Sequence, residues 1–301
     1  AGKVWTAILL VMASLLVTML ITLLSVREEP LPEKVTAPLR PALLRIVMLT
    51  VIFAVVTTLF GGLVGVVGRL LRGQGTLQLV GVALAGLLAM TGAITLGVWW
   101  SARVGIGEGA RKHPSFTWWV INRLLYLAAV GSIQSFAQYF LQDVVGIANA
   151  PAATSTLMMV VGFFTVASAL PSGWLSDRFG RKPLVMLSGI TAALGTFLLF
   201  LAPNITMVTI CGVIIGLSAG IFMTVSWALG TDLVPPGEAG LYLGVSNLAG
   251  AGAGIVGAGI GGPMADFFNA YQPGLGYLVI FAIYGALFLL ATLTLFKVRL
   301  E

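Results

Sequence analysis

Gly173-Trp174-Leu175-Ser176-Asp177-Arg178-Phe179-Gly180-Arg181-Lys182-Pro183 separates two long apolar runs, and its composition explains what such a junction needs. Gly180 stands where a tight turn requires positive φ, which glycine adopts without a Cβ clash. Gly173 permits two helices to approach closely. Asp177 puts a carboxylate where a neighbouring helix N-terminus or an arginine can receive it. Arg181 and Lys182 hold the junction on one aqueous face. A generic basic turn would account for the cations but not for this spacing of glycines and aspartate.

The apolar runs on either side belong to a series. Hydrophobic residues make up 58% of the 301 and charged residues only 9%, with a mean hydropathy of +1.05. Soluble domains carry roughly 25% charged residues, so lipid is the expected solvent for most of this surface. A helix needs about 20 apolar residues to cross a hydrocarbon core about 30 Å thick. Nine runs meet that length: 4–25, 44–68, 77–100, 117–141, 154–172, 183–202, 205–229, 240–262 and 275–296. None shows the ten-residue alternation of an outer-membrane barrel strand. The expected fold class is an all-α membrane protein, a polytopic helical bundle.

The net charge of +6 falls between the spans rather than on one basic face, which argues against nucleic acid and for a topology signal. Segments 26–43, 101–116, 173–182, 230–239 and 297–301 collect Arg27, Lys34, Arg40, Arg103, Arg111, Lys112, Arg178, Arg181, Lys182, Lys297 and Arg299. The opposite side receives Lys3, Arg69 and Arg72, while Arg45 and Arg123 stand just inside the basic ends of their spans. The basic side reads as cytoplasmic, placing the N-terminus outside and the C-terminus inside, in the plasma (inner) membrane.

The chain divides at its breakers. Residues 1–26 hold the first span, whose 22-residue apolar stretch lacks a small-residue cleavage site and so does not read as a signal peptide. An external start with an odd number of spans leads us to expect further helices upstream. Residues 27–43, with Pro30, Pro32, Pro38 and Pro41, read as a cytoplasmic linker. Residues 44–100 form a two-span hairpin closed by Gly73-Gln74-Gly75, and 101–116, with Gly105, Gly107 and Gly109, a second linker. Six closely connected spans occupy 117–301.

The pattern G-x-L-x-D-R-x-G-R-K of the quoted junction resembles the cytoplasmic signature of the major facilitator superfamily, which joins the second and third helices of a six-helix half. The resemblance covers about four-fifths of the chain. It implies that 117–296 are the C-terminal six-helix half and 4–25 the last helix of an otherwise missing N-terminal half. The hairpin 44–100 is similar to the two extra helices that fourteen-helix members carry between halves. Gly173, Asp177, Arg178, Gly180, Arg181 and Lys182 then correspond to a conformational-gate motif. Leu141-Gln142-Asp143-Val144-Val145-Gly146 and Thr231-Asp232-Leu233-Val234-Pro235, followed by Gly240-Leu241-Tyr242-Leu243-Gly244, resemble the sucrose and glycoside branch, with drugs, organic acids and other solutes left open.

The resemblance implies that 117–141 and 205–229 line a central solute path. On the first, Arg123, Gln134 and Gln138 fall within about 60° of one another at 100° per residue, and Gln142 extends the row. Polar groups in lipid are costly without partners, so this row faces either a wet cavity or another helix. Arg123 also has the reach to snorkel to the interface. On the second, Gly212, Gly216 and Gly220 have the four-residue spacing of close helix packing, and Ser218, Thr224 and Trp227 are candidate substrate contacts. Trp118 and Trp119 read as interfacial belt anchors. Cys211 reads as a packing residue and His113 as a solvated loop residue.

Gly250-Ala251-Gly252-Ala253-Gly254-Ile255-Val256-Gly257 contains G-x-G-x-x-G, but a dinucleotide site needs a preceding strand and a helix start at the phosphates. Here the glycines lie within a span. No P-loop, metal-ligand cluster or paired nucleophile and base stands out, so no cofactor and no enzyme activity are expected. Every aspartate falls at a span end or in a loop; a titrating carboxylate for a proton symporter would lie upstream. The expected function is secondary active transport of a small, sugar-like solute by alternating access. The competing expectation is a split or truncated, non-transporting membrane subunit that stabilises a larger complex.

Overall fold

The computed structural model describes residues 2–25 and 39–299, and among them the secondary structure is helical throughout. The prolines and charges of 27–38 lie outside the described residues. Two compact units are present, residues 1–41 and 42–301. In the first, α1 (Gly2–Ser25) is one uninterrupted apolar helix. The Thr18 and Thr22 hydroxyls donate to the carbonyls of Ser14 and Thr18, 2.9 Å in each case, so these two groups are spent on the helix's own backbone.

The second unit contains α2 (Leu39–Leu70) from residue 42 onward, α3 (Thr76–Gly105), the single turn α4 (Gly109–Lys112), α5 (Pro114–Asp143), α6 (Ala150–Phe179), α7 (Arg181–Leu198), α8 (Ile205–Asp232), α9 (Ala239–Tyr271) and α10 (Leu275–Thr294). With α1, nine helices among the described residues are long and apolar enough to cross a membrane. Their limits follow local chemistry. Pro41 and Pro114 fall in first turns, where a missing N–H leaves no bond unmade. Helix α2 therefore begins inside the stretch read as linker. The side chains of Asn149 and Asn204 cap α6 and α8 by accepting from the amides of Ala152 (3.4 Å) and Met207 (3.0 Å).

The α2–α3 hairpin is tied by Gln78, whose amide donates to the Gly68 carbonyl at 2.9 Å and accepts from the Gly73 amide at 3.3 Å. Helix α3 packs on α9, α5 and α10, so the hairpin shares one compact unit with the six following helices. The core centres on α5 and α10, where Tyr126, Tyr284, Phe281 and Phe288 are nearly inaccessible. The Tyr126 ring stacks on Phe222 of α8 with centroids 3.6 Å apart. Outward, α3, α6 and α7 expose Leu88, Phe163 and Leu187, the surface expected of a bundle solvated by lipid.

Several glycines of α8 and α9 are packing residues, whereas Gly254 and Gly262 have nothing within 4 Å of a Cβ position. A Cβ at Gly216 would stand 2.7 Å from the Val161 carbonyl of α6, and one at Gly220 would overlap the Thr165 carbonyl and the Ser168 hydroxyl. Gly252 of α9 is pressed against the ring of Phe53 and Gly257 against the Ser132 hydroxyl. Cys211 of α8 is fully buried.

Candidate gate and solute path

The junction quoted at the outset is the turn from α6 to α7. Gly180 supplies it at φ 89°, a conformation that would strain an L side chain. Arg181, the first residue of α7, reaches across to the end of α8. Its Nη1 donates to the Ala228 carbonyl at 2.6 Å and to Asp232 Oδ1 at 2.5 Å. Among the described residues this is the only ion pair. Both side chains keep about a third of their surface open (32% and 40%), so its value lies in fixing geometry more than in stability, about 0–1 kcal/mol. Lys182 Nζ donates to the Val298 carbonyl at 2.8 Å, and the Arg299 amide donates to Ser115 Oγ at 3.0 Å. The starts of α5 and α7 and the ends of α8 and α10 are thereby tied together at one end of the bundle.

Two residues of the motif stand apart from that clasp. Asp177 is exposed and forms no ion pair among the described residues. Gly173 has no heavy atom of another element within 4 Å of where a Cβ would lie. Close approach at Gly173 is therefore not made within this unit, and the Asp177 carboxylate is free for a partner beyond it. Arg178 stays exposed beside Trp174 and Phe179 of its own helix.

The polar row on α5 divides. Arg123 turns inward: it is only 6% exposed, its guanidinium carbon lies 4.1 Å from the centroid of the Trp227 ring, and its Nη1 has no hydrogen-bond partner. A cation over an indole face is partly compensated for lost hydration. It is covered by neighbouring helices where Gln134 is open. Gln134 is exposed and Gln138 half-buried, with Ser135 exposed between them. Gln134 borders a small apolar crevice of about 40 Å³ that also touches Leu157, Gly212 and Phe281.

Two expectations are corrected. Ser218 is fully buried with its hydroxyl engaged: it donates to the Ser188 carbonyl at 2.6 Å and lies 2.6 Å from the Tyr126 hydroxyl. It bridges α5, α7 and α8 and has nothing left for a solute. Trp119 is not a belt anchor but a core residue, its Nε1 donating to the Ser226 carbonyl at 3.0 Å. Trp227, read as a substrate handle, carries Arg123 over one ring face and, like Thr224, remains partly open. Two residues passed over in the sequence now matter. Asp232 receives Arg181 across 51 positions, a pairing that no local pattern reveals. Asn122 is buried with its amide on the Ala291 carbonyl at 2.7 Å and its Oδ1 unpartnered. A second amide-bearing residue beside Arg123 in an apolar span was the available signal.

A clamp-bearing α6–α7 turn on a bundle of this kind is matched by one family model, the Major Facilitator Superfamily, over residues 119–301. The chain belongs to that superfamily. Individual facilitators are more distant. The Multidrug resistance protein MdtG of Enterobacter lignolyticus is 28% identical over 192 residues, covering 63% of this chain and 44% of MdtG. The Minor myo-inositol transporter IolF of Bacillus subtilis is 34% identical over 88 residues, 29% of this chain and 20% of IolF. A Multidrug resistance protein, fnx1, of Schizosaccharomyces pombe is 30% identical over 94 residues, 31% of this chain and 18% of that protein. The chain thus spans less than half the length of these facilitators. No solved structure matches it.

Proposed function

We propose that this chain supplies the C-terminal half of a secondary transporter that carries a small solute across the plasma membrane by alternating access. Its basic end would be cytoplasmic and α1 the last helix of the other half. The observation that carries the reading is the polar edge of α5: Gln134 and Ser135 are exposed and Gln138 is half-buried on a helix whose flanking surfaces are apolar. Amides left in hydrocarbon are costly, and a solute path between two halves gives them water and a ligand. The unpaired Asp177 supports the same reading, because a carboxylate on the α6–α7 turn can bias one conformer by meeting the other half only in that conformer.

Neutral, hydroxyl-rich solutes suit two amides better than ions do, which favours a sugar or polyol of the kind IolF is named for over the drugs of MdtG. A carboxylate for proton symport would belong to the other half, since no described span carries an acidic residue at mid-depth. The test is uptake into proteoliposomes by the complete protein, comparing labelled myo-inositol with efflux of a lipophilic dye. Replacing Gln134 and Gln138 by Leu removes two hydrogen bonds of about 1 kcal/mol each, and is expected to weaken solute affinity roughly 25-fold. A well-folded protein that moves neither class would instead support the scaffold reading.

A further inference from the structure

A cavity much larger than the crevice at Gln134 lies away from the α5 edge. It is a cleft of about 680 Å³ between α2, α3 and α9, and the transport reading makes no use of it. Its walls are mostly apolar, with Ala54, Val64, Gly65, Met264 and Phe267 among them, and Arg69 and Arg72 line one end. Neither arginine forms an ion pair among the described residues. The nearest carboxylate along the lining helices, Asp266, is exposed, does not line the cleft and pairs with neither. A volume of this size lies within the roughly 300–1,000 Å³ of ordinary ligand sites.

The length of the cleft identifies its occupant. From Ala54 to Arg69 is fifteen residues of α2, roughly 22 Å of helix. One leaflet of a bilayer, acyl layer and headgroup together, is about 20–22 Å deep. An apolar trough of leaflet depth that ends in two unneutralised arginines complements a molecule with a hydrocarbon tail and an anionic head. We propose that this cleft binds one anionic phospholipid, its acyl chain against Val64, Gly65 and Met264 and its phosphate held by Arg69 and Arg72. The glycines of α2 deepen the trough: a Cβ at Gly65 would meet no atom within 4 Å, and one at Gly61 would only reach Ile260 at 4.0 Å. The lipid then fills space between the hairpin and α9 that side chains leave open.

The test is native mass spectrometry of the complete protein purified in mild detergent with equal phosphatidylglycerol and phosphatidylcholine. One retained phosphatidylglycerol, held in preference to phosphatidylcholine, is expected. Arg69→Gln with Arg72→Gln should weaken phosphatidylglycerol roughly 25-fold, about fivefold per arginine, and remove the preference. Gly65→Phe should fill the trough and release both lipids. Thermal unfolding of the variants in phosphatidylcholine, read by exposure of Cys211, should match wild type, so that lipid loss reports the site and not the fold. Arg69→Lys with Arg72→Lys keeps the charges and should keep the preference, which decides the matter if the glutamine variant does not fold. Equal retention of the two lipids by wild type, or unchanged retention in the double-glutamine variant or in Gly65→Phe, overturns the proposal. So does a cysteine at position 65 that cross-links to a second copy with no lipid retained, which would make the cleft a helix–helix interface.

Discussion

Replacing Gly220 or Gly216 by Ala should destabilise the bundle, against the general rule that Ala is the better helix former. The new methyl at 216 would lie 2.7 Å from the Val161 carbonyl, well inside the 3.4 Å at which ordinary contact begins. At 220 it would overlap the Thr165 carbonyl, which already accepts from the Ser168 hydroxyl at 3.1 Å. Both obstacles include backbone, so relief requires moving α6 away from α8. Overpacking of this kind costs about 1–3 kcal/mol, offset by up to about 1 kcal/mol of helix propensity. Gly162→Ala on α6 is the matched control, because nothing lies within 4 Å of its Cβ position; it should be neutral or stabilising by about 0.4–1 kcal/mol. Cys211, the single cysteine and fully buried, reports unfolding when a thiol-reactive dye reaches it. The unfolding midpoints of G216A and G220A should fall below that of G162A by roughly 4–8 °C, at about 2–4 °C per kcal/mol. Equal midpoints for all three variants would show that the α6–α8 contact does not depend on these glycines.

Three further outcomes are expected. Asp177→Asn should reduce transport by the complete protein severalfold while leaving its membrane abundance near wild type; parallel loss of both would make Asp177 a folding residue. Single cysteines at 134 and 138, with Cys211→Ser, should react with a small water-soluble thiol reagent and be protected by the transported solute. If both remain unreactive in an active protein, this edge of α5 is an interhelical contact. A reporter active only in the cytoplasm, fused after Glu301, should give signal, and a silent but well-expressed fusion would reverse the assigned orientation.

What could be read in the sequence was what depends on neighbours along the chain. Span lengths, the Gly180 turn and the four-residue glycine spacing on α8 are all local or helically periodic, and run length and pattern express them directly. The fate of individual polar side chains depends on partners far away. Arg123, Gln134 and Gln138 share one side of an isolated helix, yet Arg123 lies where α8 brings Trp227 over it, while the glutamines lie beyond that cover. Ser218 likewise looks like a handle in its own helix until α5 and α7 take up both sides of its hydroxyl. Angle around a helix is legible from spacing; which neighbour covers that angle at a given height is not.

The hydroxyl chain from Tyr126 through Ser218 to the Ser188 carbonyl, with Phe222 stacked on the same tyrosine, has a mechanical consequence. It pins three helices at one level in a setting where sliding any of them would leave a buried oxygen or proton unmatched. Shear among α5, α7 and α8 is therefore expensive, whereas rotation of the three as one beam breaks none of these bonds. Slack in this protein should be sought in its turns and along its outer seams, and a substitution such as Tyr126→Phe would soften the beam without altering its shape.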